Sequence, residues 1–328
     1  GILQDSLRPF LNRSVNGKYP PGSPFKTLVS LIGLQDGTLT PGRGIPCRGA
    51  FYSGGTRLTG CHGHPSCTSV EDAIAQSCNT YFVTAFLEYL NQGPNNESPD
   101  DELDRFNEYL HAFGLGRPLG IDYPFELSGF VPDGDYYNKV FARESFWRAI
   151  WLRSLGIGQG EYELTTLQLA NLAAAIANRG YWITPHLVKG MRLGDTSNVF
   201  EPPPLDLQKH LTGIDGVNFI PVVNGMERVF INGTARASAV PGITMCGKTG
   251  TAENSQRGGK DHSIFFAFAP KDNPRIAIAV YIENAGFGGT YAAPTASLLM
   301  EKFLTDTISV GRRWTETRIK EANLLPGK

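Results

Sequence analysis

Three short polar motifs, spread over most of the chain, constrain its fold more than any other feature. They are S-x-x-K at residues 23–26, S-x-N at residues 77–79 and K-T-G at residues 248–250. Ser77 follows Ser23 by 54 residues, and Lys248 follows Ser77 by a further 171. Hydroxyl, amine and amide groups act on one another only when they are neighbours. A fold that uses all three motifs together must therefore bring three distant segments to one place.

The S-x-x-K motif lies where a buried helix is predicted to begin. Pro24 has the fixed backbone angle that suits the first helical position. Apolar residues then recur with helical spacing over residues 25–32, and Gly37 is suited to end the helix. Because residues three apart share one helical face, this start places the amine of Lys26 beside the hydroxyl of Ser23.

The rest of the chain shows a mixed α and β pattern. Helices are predicted over residues 69–76, 80–90, 104–113, 164–178 and 294–304, and strands over residues 243–247, 263–269 and 276–282. Residues 1–22, 38–68, 115–160 and 190–212 are predicted to be loops or largely irregular. The S-x-N motif thus falls on a turn between two helices, and K-T-G follows a strand.

The first motif suits the chemistry of a serine nucleophile. A serine hydroxyl reacts slowly until a neighbouring base accepts its proton. A lysine amine becomes such a base when burial or a second cation lowers its pKa. We expect Lys26 to be the base for Ser23 and Lys248 to be the second cation. The free N–H groups at the helix start can stabilise an oxyanion.

The other two motifs suit recognition of a peptide that ends in a carboxylate. Ser77 can pass a proton to a leaving amine, and Asn79 can hold a substrate amide through both its donor and its acceptor. Thr249 offers a hydroxyl to a carboxylate, Gly250 allows a bound backbone to approach, and Thr251 adds a hydroxyl and an N–H. A substrate lying as an extra strand along this edge would use all of them. Together the motifs predict serine acyl transfer.

Composition and charge exclude other classes of function. Hydrophobic residues make up 41% of the 328 residues, and the net charge is −1 without a long run of one sign. No basic stripe is present, so we expect no nucleic-acid partner. No apolar stretch approaches the roughly 20 residues that cross a bilayer.

Beyond the three motifs, longer blocks of sequence resemble the class B penicillin-binding proteins, which are peptidoglycan D,D-transpeptidases. The resemblance covers about residues 10–305, and its blocks are residues 19–26, 77–82, 156–161, 166–180, 247–253 and 265–270. Residues 20–23 and 77–82 are most similar to the elongation-specific penicillin-binding protein 2 group. The family fold is of the α+β type, an antiparallel sheet flanked by helices that is shared with serine β-lactamases.

The resemblance implies a role for each motif residue. Ser23 would be acylated by the penultimate D-alanine carbonyl of a stem peptide, with Lys26 as the base and Ser77 as the proton carrier. Penicillins would trap Ser23 as a long-lived acyl-enzyme, and no catalytic cofactor is implied. An amine of a neighbouring stem peptide would resolve the natural acyl-enzyme into a cross-link.

The substrate-binding roles follow from the same resemblance. Asn79 would bind the peptide amide, and Lys248, Thr249, Gly250 and Thr251 would hold the terminal carboxylate end of the substrate. The N–H groups of Ser23 and Thr251 would form the oxyanion hole.

The resemblance also predicts how the chain is organised. Residues 1–22 are expected to be an N-terminal loop remnant, residues 23–310 the transpeptidase domain, and residues 311–328 a C-terminal tail. Family sheets include strands that precede S-x-x-K, so we expect a sheet short of two strands. A membrane anchor and a domain that contacts other cell-wall synthesis proteins are expected outside this chain, with the catalytic domain in the periplasm on the bacterial inner membrane.

The cysteines form a second pattern, because four of the five fall within 32 residues. Clustered cysteine and histidine side chains are typical of structural zinc sites, while one or two disulfides would be the alternative in an oxidising compartment. The favoured zinc ligands are Cys47, Cys61, His64 and Cys78. Cys67 or His62 could substitute for one of them, and Cys246 stands apart in the sequence. Cys246 is predicted to be a small buried apolar residue.

Two rival functions use the same motifs. A serine β-lactamase would hydrolyse its acyl-enzyme, but the long separations between the motifs argue against that class. A penicillin-sensing receptor domain or a scaffold would need no turnover, but intact Ser23, Lys26 and Lys248 argue against a degenerate site.

Overall fold

The computed structural model of the chain describes residues 8–94, 97–189, 208–254 and 260–324, together with the backbone of residues 191–192 and 199–200. The helices are α1 Arg13–Asn16, α2 Lys26–Asp36, α3 Val70–Gln76, α4 Asn79–Leu90, α5 Asp100–Ala112, α6 Gly134–Val140, α7 Thr166–Ala177, α8 Gly216–Ile231, α9 Ala292–Thr305 and α10 Arg313–Glu321. The strands are β1 Ala50–Ser53, β2 Thr56–Gly60, β3 Tyr181–Trp182, β4 Met191–Arg192, β5 Val199–Phe200, β6 His210–Leu211, β7 Cys246–Ala252, β8 His262–Ala269 and β9 Ile276–Ile282.

An antiparallel sheet of strands in the order β7, β8, β9 forms the centre of the fold. In its register Lys248 lies opposite Phe266, and Thr251 lies opposite Ser263. Strand β8 is rich in phenylalanine and is almost wholly buried, as expected for a strand that is covered on both faces. Helices α7, α8 and α9 pack against the sheet. This arrangement confirms the predicted α+β fold, and the part of the sheet described here has three strands.

The helix of the S-x-x-K motif is buried, as predicted. Residues Ser23–Phe25 form a single 3₁₀ turn that leads directly into α2. Phe25 and the apolar residues of α2 enter the main hydrophobic core. Gly37 ends the helix with a φ of 81°, a left-handed conformation that glycine adopts without a steric penalty.

The structure contains helices that the sequence pattern did not predict. Helix α6 lies within residues 115–160, which were predicted to be irregular, and the short α1 lies within the predicted N-terminal loop. Helix α8, which no pattern indicated, contains Pro221 and packs against α3 and β7. The predicted loop over residues 190–212 contains the short strands β4, β5 and β6, and the rest of it up to residue 207 lies outside the described residues. Among the described helices, none has both the length and the apolar character that crossing a membrane requires.

A buried ion pair joins α9 to the segment that follows it. The side chain of Arg312 donates to Glu301 at 2.9 Å and to the hydroxyl of Ser297 at 2.6 Å, and Glu301 also accepts the N–H of Ser309 at 3.1 Å. The two charged side chains are only 10% and 4% exposed. The segment predicted as a tail therefore begins with an ordered anchor and continues as α10.

We predict that breaking this ion pair destabilises the fold. Glu301→Ala leaves the buried Arg312 unpaired and should lower the free energy of unfolding by about 3 kcal/mol, measured by urea denaturation. The double variant Glu301→Leu with Arg312→Met should recover much of that loss. Glu316→Ala, which removes exposed ion pairs of α10, should leave the unfolding midpoint nearly unchanged. Equal effects of Glu301→Ala and Glu316→Ala would contradict the anchoring role.

Candidate active site

The three motifs meet in one cavity of about 580 Å³. Ser23 lines this cavity, together with a wall formed by Ser77 and Asn79 of the S-x-N turn and a wall formed by residues 249–251 of β7. The sequence prediction that three distant segments converge on one place is consistent with this geometry.

The position of Ser23 depends on a contact between two glycines. Gly22, with a φ of 59°, donates its N–H to the carbonyl of Gly158 at 2.8 Å. Gly158 also has a left-handed conformation, with a φ of 71°, and a Cβ atom there would lie 2.2 Å from the carbonyl oxygen of Gly22. Only glycine allows the two backbones to approach this closely. Their contact sets the point from which Ser23 projects into the cavity.

Lys26 is fully buried and forms three hydrogen bonds to the S-x-N turn. Its Nζ donates to the carbonyl of Ser77 at 2.8 Å, to the hydroxyl of Ser77 at 3.1 Å and to Oδ1 of Asn79 at 2.5 Å. Burial lowers the pKa of Lys26 to about 8, although nearby cysteines oppose the shift. The amine is therefore close to the pKa that a general base needs near neutral pH.

Ser77 connects this amine to Ser23. Its Oγ accepts from Lys26 and donates to Oγ of Ser23 at 3.2 Å. Ser77 follows the last turn of α3 with a φ of 56°, a left-handed conformation that is uncommon outside glycine. This conformation turns the chain sharply into α4. A continuous path of hydrogen bonds thus runs from Ser23 through Ser77 to Lys26.

Asn79 forms the outer part of the same wall. Its Oδ1 accepts from Lys26, and its Nδ2 donates to the carbonyl of Gly60 at 2.8 Å. Since an amide nitrogen carries two hydrogens, Asn79 retains the capacity to donate to a ligand.

Lys248 belongs to β7 and is also fully buried. Its Nζ donates to the carbonyl of Thr249 at 3.0 Å. Burial, together with the positive charge of Lys26, lowers the pKa of Lys248 well below its ordinary value. The two amines repel each other when both are charged, so the pair favours the loss of one proton.

Strand β7 brings Thr249, Gly250 and Thr251 to the cavity. A Cβ atom on Gly250 would lie 2.6 Å from the ring of Pro24, so glycine is needed for the turn of residues 23–25 to pack on the strand. The side chain of Gln159 donates to the carbonyl of Thr251 at 2.9 Å. β7 is an edge strand of the described sheet, because β8 is its only partner there.

Sequence reasoning did not identify several side chains that line this cavity, among them those of Gln159, Thr234 and His62. Gln159 lies in a block that was noted for its resemblance alone, and Thr234 lies in a turn that no pattern singled out. His62 was considered as a substitute metal ligand, but it lines the cavity instead. The glycine-rich block around Gln159 could have indicated a residue of the site. No local pattern indicates Thr234, because its position depends on tertiary contacts.

The four favoured metal ligands come together beside the S-x-N turn. The ligand atoms of Cys47, Cys61, His64 and Cys78 all lie within 4.8 Å of one another. Sγ of Cys61 lies 3.3 Å from Nε2 of His64 and 4.0 Å from Sγ of Cys78. Ligands around a tetrahedral zinc lie about 3.8 Å apart, given a Zn–S distance of about 2.3 Å.

The surroundings of these ligands also suit a metal. Nδ1 of His64 lies 2.7 Å from the carbonyl of Pro65 and must donate to it, which leaves Nε2 to face the sulfurs. The backbone N–H groups of Asn79 and Tyr81 donate to the sulfurs of Cys61 and Cys78 at 3.2 and 3.4 Å. The hydrogen bond with Cys78 and burial raise the pKa of Cys61 to about 12, and a bound cation would reverse that shift.

The other cysteines have different positions. All five cysteines are free thiols in this structure, so no disulfide links the cluster. Sγ of Cys67 lies 3.7 Å from Nδ1 of His64, which is the nitrogen facing away from the favoured ligands. Cys246 is fully buried in β7, as predicted.

Comparison with known proteins agrees with the geometry. Residues 3–301 match the family described as the penicillin binding protein transpeptidase domain. Peptidoglycan D,D-transpeptidase MrdA of Acinetobacter baumannii is 33% identical over 311 residues, which cover 88% of this chain and 43% of that protein. MrdA of Haemophilus influenzae is 31% identical over 330 residues, which cover 94% of this chain and 48% of that protein. The chain thus spans about half the length of these relatives.

Solved structures share the backbone arrangement. The crystal structure of Pseudomonas aeruginosa PBP2 in complex with WCK 5153 has a TM-score of 0.76 and 31% identity, over 94% of this chain and 65% of that chain. The complex between PBP2 and MreC from Helicobacter pylori contains a chain with a TM-score of 0.73 and 25% identity, over 92% of this chain and 52% of that chain. These matches confirm the resemblance to class B penicillin-binding proteins, including its similarity to the PBP2 group. Because the family pattern spans most of the sequence and the backbone follows these structures, the chain belongs to the penicillin-binding protein transpeptidase domain family.

Proposed function

We propose that this chain is the catalytic domain of a peptidoglycan D,D-transpeptidase that cross-links stem peptides through an acyl-enzyme on Ser23. The observation that carries the proposal is the hydrogen-bond path from Ser23 through Ser77 to the buried Lys26, which faces residues 249–251 across one cavity. The named activity of the MrdA relatives supports the same reaction.

Acylation begins when the direction of hydrogen-bond donation along this path reverses. In the structure Lys26 donates to Ser77 and Ser77 donates to Ser23. Once Lys26 loses its proton, Ser23 can donate to Ser77 and Ser77 to Lys26, which frees Oγ of Ser23 to attack the penultimate D-alanine carbonyl. The N–H groups of Ser23 and Thr251 hold the oxyanion. The proton then returns through Ser77 to the departing nitrogen, the C–N bond breaks, and D-alanine leaves.

The terminal carboxylate of the substrate couples binding to this chemistry. We assign the carboxylate to the hydroxyls of Thr249 and Thr251, with Lys248 behind them and Gly250 allowing close approach. A nearby carboxylate favours the charged form of Lys248, and that charge disfavours a second ammonium at Lys26. Substrate binding therefore promotes the loss of the proton from Lys26. Asn79 holds the peptide amide.

The second half of the reaction uses the same groups. The amine of an acceptor stem peptide attacks the ester carbonyl and its proton passes through Ser77 to Oγ of Ser23. The C–O bond to Ser23 then breaks, and the cross-linked peptide leaves. β-Lactams acylate Ser23 in the same way, but their ring-opened product blocks the acceptor. By analogy with the PBP2 relatives we place the enzyme in cell-wall elongation, in the periplasm on the inner membrane, with cell-wall proteins such as an MreC homologue as partners.

We also propose that Cys47, Cys61, His64 and Cys78 hold a structural zinc ion. The set fits tetrahedral coordination by three thiolates and one imidazole. Cys78 lies between Ser77 and Asn79, so coordination there would brace the catalytic turn. The zinc would supply folding energy and no catalytic step.

We predict that benzylpenicillin acylates Ser23 and that the adduct persists for hours. Intact mass spectrometry should show one adduct on the wild-type chain and none on Ser23→Ala. Ser30→Ala is the matched control, because Ser30 is buried on the same helix and bonds only to the carbonyl of Lys26 among its described contacts. Fast turnover of the adduct would instead identify a β-lactamase, and absence of any adduct would favour a non-catalytic domain.

We predict that the acylation rate rises with pH. The neutral amine of Lys26 is the base, and its pKa is lowered to about 8. Below that value the neutral fraction falls about tenfold for each pH unit, so the second-order rate constant should rise between about pH 6 and 7 and level off above about pH 8. Stopped-flow acylation by a chromogenic cephalosporin would measure the profile. A rate that falls over this range would contradict the assignment of Lys26.

We predict that the purified chain binds one zinc ion through the proposed set. Metal analysis should find one zinc per chain, and Cys61→Ser should lose it and lower the unfolding temperature by several degrees. Cys67→Ser, which removes a neighbouring cysteine outside the set, should keep the metal. Retention of zinc by Cys61→Ser and its loss from Cys67→Ser would show that the ligands were assigned wrongly.

A further inference from the structure

A second threonine contacts the one assigned to the substrate carboxylate. Oγ1 of Thr234 is 2.6 Å from Oγ1 of Thr249, a short distance for a bond between two hydroxyls. Thr234 belongs to the turn that follows α8, and both side chains line the active-site cavity. The mechanism above gives Thr234 no role.

Close backbone packing fixes the position of Thr234. Its N–H donates to the carbonyl of Ala75 at 3.4 Å, two residues before Ser77. A Cβ atom on the preceding Gly233 would lie 2.5 Å from the same carbonyl, and one on Gly289 would lie 3.0 Å from the carbonyl oxygen of Thr234. The turn that contains Thr234 is therefore held between α3 and the loop after β9. A side chain placed so tightly can define the direction of a hydrogen bond.

The chemistry of the two hydroxyls determines that direction when a ligand is bound. Each hydroxyl has one hydrogen to donate, and without a ligand either threonine can be the donor. An ionised carboxylate only accepts hydrogen bonds. When Thr249 donates to a carboxylate, its own hydrogen is used, and Thr234 must then donate to Oγ1 of Thr249. The bond from Thr234 to Thr249 and the bond from Thr249 to the carboxylate polarise each other, which strengthens the charge-assisted bond to the carboxylate.

We propose that Thr234 is a positioning residue that directs the Thr249 hydroxyl toward the terminal carboxylate, and so sets the preference of the site for carboxylate-bearing ligands. This inference rests on the proposed function. It predicts that loss of the Thr234 hydroxyl weakens the enzyme only toward ligands whose carboxylate is ionised.

The experiment compares two ligands that differ only in that carboxylate. The second-order rate constant for acylation of Ser23 would be measured by intact mass with benzylpenicillin and with its methyl ester. Thr234→Val keeps the shape of the side chain but removes the hydroxyl. We expect it to lower the rate constant about tenfold for the free acid, because loss of the Thr234 hydrogen bond also weakens the charge-assisted bond from Thr249 to the carboxylate, and by less than about twofold for the ester. Thr234→Ser should restore the wild-type preference.

Thr212→Val provides the matched control. Thr212 is fully buried, and its hydroxyl donates to the carbonyl of Gly180, in the turn that leads into β3. This variant should leave the ratio of the two rate constants unchanged, even where it lowers the unfolding temperature. An equal loss for both ligands in Thr234→Val would show a merely structural role and overturn the inference, as would a free-acid rate that stays at the wild-type value. If the wild-type chain forms no adduct at all, the proposed function fails and this inference fails with it.

Discussion

The buried ammonium of Lys26 is the interaction on which the rest of the site depends. A lysine amine withdrawn from water is costly unless hydrogen bonds replace its hydration. Here all three replacements come from the S-x-N turn, through the carbonyl and hydroxyl of Ser77 and the amide of Asn79. The need to satisfy one buried cation therefore fixes the distance between α2 and the turn that joins α3 to α4. The same burial lowers the pKa of Lys26, so structural support and basicity have one cause.

The parts of this site that the sequence predicts are those with local causes. Gly37 ends α2, as the pattern indicated. Two helix starts have local causes of the same kind: Ser69 caps α3 by accepting the N–H of Asp72, and Thr165 and Gln168 form a capping box on α7. The strand β9 was predicted with its observed bounds, because its alternation of isoleucine, alanine and valine is a local signal. Coarse helix assignments then sufficed to place the first two motifs on a helix start and a turn. The strand predicted over residues 243–247 is observed as Cys246–Ala252, so K-T-G lies within β7 and not after it.

The parts that escaped prediction are held by contacts between distant residues. Helix α8 contains Pro221 and Gly225, which lower its intrinsic helix propensity, and it is stabilised by packing against α3 and β7. At Gly225 a Cβ atom would lie 2.9 Å from the side chain of Ile74, so the glycine serves that packing. Thr234, in the turn that follows α8, inherits its position from this packing. Periodicity in the sequence could not predict the position of Thr234, because its partners Ala75 and Thr249 lie in other parts of the fold.

A single turn relates the two N–H groups that we assign to the oxyanion. The carbonyl of Gly158 accepts the N–H of Gly22, which directly precedes Ser23, while the side chain of Gln159 donates to the carbonyl of Thr251. Neighbouring residues of one turn thus hold the backbone next to Ser23 and the end of β7. Electrostatic stabilisation of an oxyanion requires hydrogen-bond donors that are already in place when the charge develops. Contacts of both donor segments with the glycine-rich block around Gly158 meet that requirement. The block positions two donors that lie far apart in the chain.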